Sequence, residues 1–379
     1  MPSSTPFLSL KDTHAPIAEK LYECAKRVID SGTYINGPEC EGFASELTAK
    51  LGLGSVVPVS NGLDAIRLIL KGYIEMGRLK KGDEVIIPAN TYIATVLPVV
   101  EFGLTPILAK PDLTTYGLDW KEVEKLTNEK TGAIITVHLY GTPSWDFESA
   151  ERLKKQGILI IEDNAQAIGA TVTNPATRQE ISTGALADAS AFSFYPTKNV
   201  GAFGDAGAAA TNDRQLAGTI KALANYGSTR RYYNEYIGFN CRMDEIQAAF
   251  LRLKLQTLEE TALKRDEKAR LYDRLINNPT VTLPTRHPHM RQVWHQYVVR
   301  TPRREELIET LAAEGIATDI HYPLSLFDQP CFKNAETALK QNREAVESAK
   351  KLAKEVVSLP IANITNKEIE KIAGIINRI

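Results

Sequence analysis

Cysteine, net charge and long apolar segments are all scarce in this 379-residue sequence. The four cysteines lie far apart and include no C-x-x-C pair, so neither a zinc site nor a disulfide framework is indicated. Lys and Arg total 45 against 46 Asp and Glu, which gives a formal net charge of −1. A balance so close to zero does not favour nucleic acid or another polyanion as the partner.

Signals for membranes and export are also missing from the sequence. Apolar runs such as residues 158–161 are far shorter than the roughly 20 residues that a membrane-spanning helix needs. The first residues contain no basic segment followed by an apolar stretch, as a signal peptide would. The composition, with 43% hydrophobic and 24% charged residues, is that of an ordinary globular protein. We therefore expect a cytoplasmic α/β protein with no membrane partner.

Short apolar runs alternate with helical patterns through the first two-thirds of the chain. The predicted strands are residues 55–60, 84–88, 133–137, 158–161, 189–194 and 206–211. Strands that alternate with helices form βαβ units, and strands covered on both faces read as continuous apolar runs. The pattern predicts a mainly parallel sheet flanked by helices.

The pattern changes after Gly238. Apolar residues at helical spacing predict one long helix over about residues 243–277, which would link two domains. Beyond it the sequence predicts a strand at 296–299, a helix at 305–315, a strand at 316–321 and two terminal helices. We expect a large domain over residues 1–250 and a small C-terminal α+β domain over residues 251–379.

The ends of the predicted strands carry the candidate functional residues, because ligands of parallel α/β sheets bind outside the carboxyl ends of the strands. The strand 158–161 runs into Glu162 and Asp163, so at least one carboxylate lies at a strand tip. A strand-end acid can also cap the following helix. The residues alone leave both interpretations open.

Lys198 lies in a loop after the strand 189–194, behind Pro196 and ahead of three glycines. Most lysines serve solubility, but glycines in a loop allow the backbone to approach a bound group closely. The loop does not end in Gly-Lys-Ser/Thr, and its glycines do not have the spacing of a dinucleotide fingerprint.

Two more strand ends contribute to the same edge. The helix that starts at Gly62 can bind a phosphate through its free N–H groups and the positive end of its dipole, although such turns are common. Thr91 and Tyr92 place an aromatic ring nearby, and a single Tyr often serves packing. A lysine, a carboxylate and a phosphate-binding helix start together match pyridoxal 5′-phosphate (PLP). The lysine holds its aldehyde as a Schiff base, and the acid keeps its ring nitrogen protonated.

The sequence resembles the sugar aminotransferases of the DegT/DnrJ/EryC1/StrS family over nearly its whole length. The segments that carry the resemblance are residues 31–38, 82–95, 162–170, 194–207, 238–249 and 321–323. The family implies the fold-type I (aspartate-aminotransferase-like) architecture, with a large PLP-binding domain and a small C-terminal domain. It also implies a homodimer with shared active sites and no metal.

The resemblance assigns roles residue by residue. Lys198 would be the Schiff-base lysine and Asp163 the partner of the pyridine nitrogen, while Gln166 would bind the phenolic oxygen and Tyr92 would stack on the ring. The other residues that it implies are the phosphate ligands Gly62, Leu63, Ser193 and, from the other subunit, Asn240, and the substrate ligands Tyr34, His321 and Tyr322. The family usually has Thr where this chain has Leu63, so one hydroxyl contact is lost. A buried turn in the small domain is the alternative interpretation of His321 and Tyr322.

The implied activity is the transfer of an amino group from glutamate to a keto group of a nucleotide-linked 6-deoxyhexose, in deoxysugar or polysaccharide (O-antigen) biosynthesis. The loop 194–207 is similar to that of enzymes that aminate carbon 3 of a dTDP-3-keto-6-deoxyhexose, whereas carbon-4 enzymes more often have Glu-Gly-Gly there. A carbon-4 aminotransferase is thus one alternative. A PLP-dependent sugar dehydratase would carry His in place of Lys198, and a cofactor-binding regulator would need a DNA-binding segment or a degraded site.

Overall fold

The computed structural model describes residues 5–333 and 342–379. In these ranges the α-helices are α1 (Leu10–His14), α2 (Ala18–Ser31), α3 (Pro38–Leu51), α4 (Gly62–Glu75), α5 (Leu97–Glu101), α6 (Trp120–Leu126), α7 (Phe147–Lys155), α8 (Arg214–Ala224), α9 (Glu245–Leu255), α10 (Leu258–Leu275), α11 (Arg304–Ala313), α12 (Pro330–Lys333), α13 (Arg343–Glu355) and α14 (Asn366–Ile376). The strands are β1 (Ser55–Val59), β2 (Glu84–Pro88), β3 (Thr105–Ala109), β4 (Thr131–Val137), β5 (Leu159–Asp163), β6 (Thr171–Thr173), β7 (Glu180–Ser182), β8 (Ala189–Ser193), β9 (Gly207–Thr211), β10 (Ser228–Arg230), β11 (Tyr233–Asn234), β12 (Met290–Arg291), β13 (Tyr297–Arg300) and β14 (Val356–Leu359).

A seven-stranded sheet in the order β1-β9-β8-β5-β4-β2-β3 forms the centre of the large domain. The five strands from β8 to β3 run parallel to their neighbours, and β9 pairs antiparallel with both β8 and β1. The mainly parallel α/β sheet predicted from the sequence is therefore confirmed. The carboxyl ends of β1, β2, β4, β5 and β8 meet at one edge.

Neighbouring isoleucines cover opposite faces of this sheet, because side chains alternate along a strand. Ile87, Ile135 and Ile161 pack in one core with residues of α4 and α8. Ile86, Ile134 and Ile160 pack in another core with residues of α6 and α7. Burial on both faces explains why these strands read as unbroken apolar runs. No helix within the described ranges combines the length and the apolar character needed to cross a bilayer.

The C-terminal part of the chain has its own core. Strands β13 and β14 pair antiparallel, and their inward side chains pack with α10, α11 and α14. The strand predicted at residues 316–321 is not formed. Ile316 makes a single bridge to Thr5 and Asp319 makes one to Ser358, so the segment is extended but has two different partners and no continuous ladder.

The long helix predicted over residues 243–277 is divided into α9 and α10. The break lies at Gln256 and Thr257, where the Thr257 hydroxyl donates a hydrogen bond back to the carbonyl of Lys254 at 3.1 Å. Such local hydrogen bonds compete with the helical ladder. Leu255 and Leu258 are both buried, so the apolar spacing continues across the break and hides it in the sequence.

Candidate active site

Asp163 and Lys198 lie at the same edge of the sheet, because β5 and β8 are neighbours. Asp163 ends β5 opposite Ala191 of β8, and the Lys198 loop begins after β8 ends. Desolvation lowers the pKa of Lys198, which keeps some solvent exposure, to about 8, and the Asp163 carboxylate opposes this shift. The lysine can therefore hold or release a proton near neutral pH.

Backbone contacts shape the Lys198 loop. The Lys198 N–H donates to the carbonyl of Tyr195 at 2.8 Å. A β-carbon on Gly201 would lie 2.3 Å from the carbonyl oxygen of Pro196, and one on Gly207 would lie 2.3 Å from the carbonyl carbon of Asn61. These two glycines allow segments of the site to approach each other, whereas the sequence suggested an approach to a bound group.

Asp163 is buried and held by defined donors. The Thr95 hydroxyl donates to one of its oxygens at 2.8 Å, and the Ala165 N–H donates to the other at 3.1 Å. Burial raises the pKa of the Asp163 carboxyl, while these two donors and the positive charge of Lys198 act in the opposite direction. The carboxylate is thus fixed in orientation and available to a cationic partner.

Glu162, the neighbouring acid, has a different environment. Its carboxylate accepts hydrogen bonds from the N–H groups of Gly184, Leu186 and Ala187 at 2.6–3.0 Å. It also contacts His138 Nε2 at 2.8 Å, and both side chains are fully buried. Because His138 Nδ1 accepts from the Ser144 N–H, the ring proton lies on Nε2 and points at Glu162. Glu162 therefore anchors the chain before β8.

The start of α4 lies beside Ser193 at the end of β8. A β-carbon on Gly62 would lie 2.6 Å from the Ser193 β-carbon, so only glycine permits this approach. The Asn61 side chain caps the helix by accepting from the Asp64 N–H at 2.8 Å. The first N–H groups of a helix have no partner within it, and they favour anions. Gly62, Leu63 and Ser193 can thus form a phosphate cradle.

Aromatic and polar side chains around Gln166 form a connected wall at this edge of the sheet. The rings of Tyr92 and Tyr322 are 5.0 Å apart between centroids. Gln166 donates to the Tyr322 hydroxyl at 3.1 Å and accepts from the Tyr140 N–H at 2.6 Å. His321 contacts the Ser358 hydroxyl at 2.8 Å. The structure therefore brings His321 and Tyr322 of the C-terminal part to the edge that carries Gln166.

Tyr34 and Asn240 lie elsewhere in the single chain. Both are exposed, and they flank the segment that leads into α9. The Tyr34 carbonyl accepts from the Glu245 N–H at 2.9 Å, and the backbone of Asn240 bridges to Asn225. The expectation that both contribute to a site stays a prediction that only an assembly of chains can test.

Several residues at this edge were not singled out from the sequence. Two of them, Thr95 and His138, are fully buried. The hydroxyls of Thr91 and Thr95 lie 2.8 Å apart, and the spacing of four residues between these threonines is the only sequence signal for that contact. His295 contacts the Asn199 side chain at 3.3 Å. Burial, with the positive charge of Lys198 next, lowers the pKa of His295 well below its usual value. No local pattern marks His295, because the fold brings it to the site from a distant segment.

The arrangement fits a phosphorylated pyridine aldehyde. It offers an amine with a lowered pKa, a buried carboxylate, a helix start beside a hydroxyl, and an aromatic ring at one edge of the sheet. The close approach that Gly62 permits keeps the helix start next to Ser193, where a phosphate would need both.

Similarity to known proteins extends over nearly the whole chain. The DegT/DnrJ/EryC1/StrS aminotransferase family model matches residues 16–377. The dTDP-3-amino-3,6-dideoxy-alpha-D-galactopyranose transaminase of Aneurinibacillus thermoaerophilus is 40% identical over 375 residues, which cover 98% of this chain and 99% of that protein. The crystal structure of S. venezuelae DesV in complex with a ketimine intermediate is 37% identical, with a TM-score of 0.91 and coverage of 99% of this chain and 98% of that one. The structure of ntda from Bacillus subtilis with bound cofactor PMP is 26% identical, with a TM-score of 0.86 and coverage of 100% and 86%.

Proposed function

The chain belongs to the DegT/DnrJ/EryC1/StrS aminotransferase family and is a PLP-dependent transaminase, and from this premise we propose that it aminates carbon 3 of a nucleotide-linked keto sugar. Glutamate is the amino donor, and a dTDP-3-keto-6-deoxyhexose is the acceptor. The observation that carries the chemistry is the Lys198 amine beside the buried Asp163 carboxylate.

When bound, PLP supplies an electron sink for the carbon that loses its proton. The Lys198 amine, with a pKa of about 8, would move the proton between the α-carbon of the amino donor and the cofactor carbon on the other side of the transferred nitrogen. The Asp163 carboxylate, oriented by Thr95, would hold a proton on the ring nitrogen. The backbone at Gly62 and Leu63 and the Ser193 hydroxyl bind the phosphate.

Two observations support the proposal that the acceptor is a nucleotide-linked keto sugar: the names of the relatives, and the side chains around Gln166. The A. thermoaerophilus protein is named for a dTDP-3-amino sugar, and it matches this chain over nearly its whole length. Tyr322, hydrogen-bonded to Gln166, and His321, hydrogen-bonded to Ser358, would contact the sugar nucleotide from the C-terminal part. Tyr92 would stack on the cofactor, and Gln166 would bind its phenolic oxygen.

We further propose that the working enzyme is a homodimer with two shared sites. Asn240 of one subunit would bind the cofactor phosphate held by the other, and Tyr34 would line the substrate cleft. The division into a large domain, 1–250, and a small domain, 251–379, is supported by the separate core around β13 and β14.

A panel of dTDP- and UDP-linked 3-keto and 4-keto sugars, incubated with glutamate and the holoenzyme, tests the proposal. We expect a product in which an amino group replaces the keto group, with the new amine located at carbon 3 by NMR. The corresponding mass change should occur only with dTDP-linked 3-keto sugars. Amination at carbon 4 instead would assign the alternative activity.

The absorption spectrum separates an enzyme from a binding protein. Glutamate should convert the band of bound PLP to that of pyridoxamine phosphate in a transaminase. Retention of the PLP band with glutamate, with no amino sugar formed, would indicate a cofactor-binding regulator.

A further inference from the structure

A second feature beside Lys198 is a cavity of about 220 Å³. Its cationic lining residues are Lys198, Lys254, Lys264, Arg265 and Lys268, and it has no Asp or Glu in its lining. The other walls come from the N-terminal residues, the Lys198 loop and the turn at Ala362. We call this the basic cavity.

Two of its cations are held without a carboxylate. Arg265 is buried, and its guanidinium donates to the carbonyls of Trp294 and His295, at 2.9 and 3.2 Å. Lys254 donates to the carbonyl of Gly201 at 2.5 Å and to His14 Nε2 at 2.7 Å. Within the described part of the chain, neither has an acid within ion-pair distance.

Two partly buried cations elsewhere in this protein are paired with carboxylates. Arg286, whose side chain is 30% exposed, binds Asp266 and Asp273, both at 2.6 Å. Arg252 binds Glu39 and Glu46 in the same way. A buried cation without a carboxylate is costly, and an anionic ligand would supply the missing charge.

The remaining groups neutralise only part of the charge that lines the basic cavity within the described part of the chain. His14 is uncharged at neutral pH because burial, aided by the Lys254 charge, lowers its pKa to about 4. Lys268 donates to the carbonyl of Ala362 at 2.5 Å, and a carbonyl carries no net charge. Of the five cations, Lys264 has an ion pair, with Glu260 at 2.5 Å.

We propose that the basic cavity binds an anionic oxygen group of a substrate, phosphate or carboxylate, while the reacting carbon of that substrate lies at Lys198. The proposal rests on the proposed function, in which both substrates carry such groups, the diphosphate of the sugar nucleotide and the carboxylates of glutamate. The volume is below the ~300–1,000 Å³ of pockets for whole drug-sized ligands, so the cavity suits one group of the substrate.

The test uses the PLP-loaded enzyme and the variants Arg265→Met, Arg265→Lys and Lys254→Met. Calorimetry with thymidine diphosphate and uridine diphosphate measures the phosphate arm, and the glutamate dependence of the PLP band measures the carboxylate arm. Loss of a charge-assisted hydrogen bond should weaken either the affinity for the diphosphates or the apparent affinity for glutamate by about 10- to 100-fold. Arg265→Lys should keep part of the affinity, because it preserves the charge.

Lys125→Met is the matched control. The Lys125 side chain is 76% exposed, so this substitution removes the same charge from the protein surface instead of from the cavity. Weaker diphosphate binding assigns the cavity to the nucleotide, and weaker glutamate dependence assigns it to the amino donor. Unchanged constants in both arms would overturn the proposal. If Arg265→Met does not fold, Lys268→Met tests the same wall.

Failure of the two proposals is distinguishable. If the variants lose diphosphate affinity but the parent enzyme aminates no nucleotide sugar, the proposed function fails and the anion site stands. If the parent enzyme aminates the sugar and the variants match the Lys125→Met control, only the basic cavity proposal fails.

Discussion

Thr95→Val removes the hydroxyl that orients Asp163 while it keeps the shape of the side chain. Thr95 is fully buried, and its hydroxyl lies 2.8 Å from the Asp163 carboxylate and 2.8 Å from the Thr91 hydroxyl. We expect the variant to fold and bind PLP, but to react more slowly with glutamate, because the carboxylate form of Asp163 is less stabilised.

The magnitude follows from that one contact. A hydrogen bond to a charged group contributes about 1.5–3 kcal/mol. At 1.36 kcal/mol per pKa unit, the pKa of Asp163, already raised by burial, should rise by a further one to two units or so. The reaction needs the carboxylate, so the acidic limb of the pH–rate profile should move to higher pH by that amount. By linkage, the loss of unfolding free energy should be larger above the Asp163 pKa than below it.

The assay is the single-turnover reaction with glutamate, followed by absorbance across the pH range. Thr136→Val is the control, because Thr136 is equally buried and its hydroxyl donates to the uncharged carbonyl of Ser144 at 2.9 Å. In the Asp163→Asn background, Thr95→Val should have no further effect on the profile. Overlapping profiles for Thr95→Val and Thr136→Val would refute the reasoning.

Three further predictions concern the same site. Lys198→Ala should abolish the covalent link to PLP, and borohydride reduction with peptide mapping of the parent enzyme should find the cofactor on Lys198; its presence on another lysine would contradict the assignment. Asp163→Asn should retain PLP and slow the glutamate reaction by orders of magnitude. Glu162→Gln should mainly lower the unfolding free energy measured by denaturant titration, by about 1–3 kcal/mol, because the amide of the new side chain cannot accept from all of the buried N–H donors. The reverse pattern would make Glu162 the partner of the ring nitrogen. Mixing Lys198→Ala with Asn240→Asp chains should restore about a quarter of the parent activity, because half of the dimers then carry one intact site; no recovery after proven subunit exchange would place Asn240 outside the partner's site.

The strands of the large sheet that are covered on both faces could be predicted from the sequence. The edge strand β3 and the C-terminal strand β14 could not. The central runs around Ile86, Ile134 and Ile160 are apolar throughout, so their pattern identifies them. Strand β3 contains Pro106 and lies at the sheet edge, where proline is tolerated and the strand signal is weak. Strand β14 begins directly after α13, so no turn residues mark its start.

The candidate site divides in the same way. Asp163, Lys198 and Gly62 follow strand ends, and strand ends meet at one edge of a parallel sheet, so local sequence places them together. His295 and Arg265 reach Lys198 only through the packing of the C-terminal part against the sheet, which no short segment encodes. The roles given to Gln166 and Tyr322 came from the resemblance alone, and their hydrogen bond shows that they share one wall.

Asn240 and Tyr34 are the residues that one chain cannot place, and the surface around them indicates why. Just before Asn240, the segment 226–237 exposes large side chains, with Tyr232 at 83% and Ile237 at 88% exposure. Large exposed side chains grouped in one segment are a common feature of interaction surfaces. Covering it with a second copy of the chain would bring Asn240 to the interface, where its amide could reach a phosphate held at Gly62 of the other subunit. Because a cofactor held by groups of two chains binds the dimer more tightly than the separate chains, PLP should shift the equilibrium from monomer towards dimer by mass action.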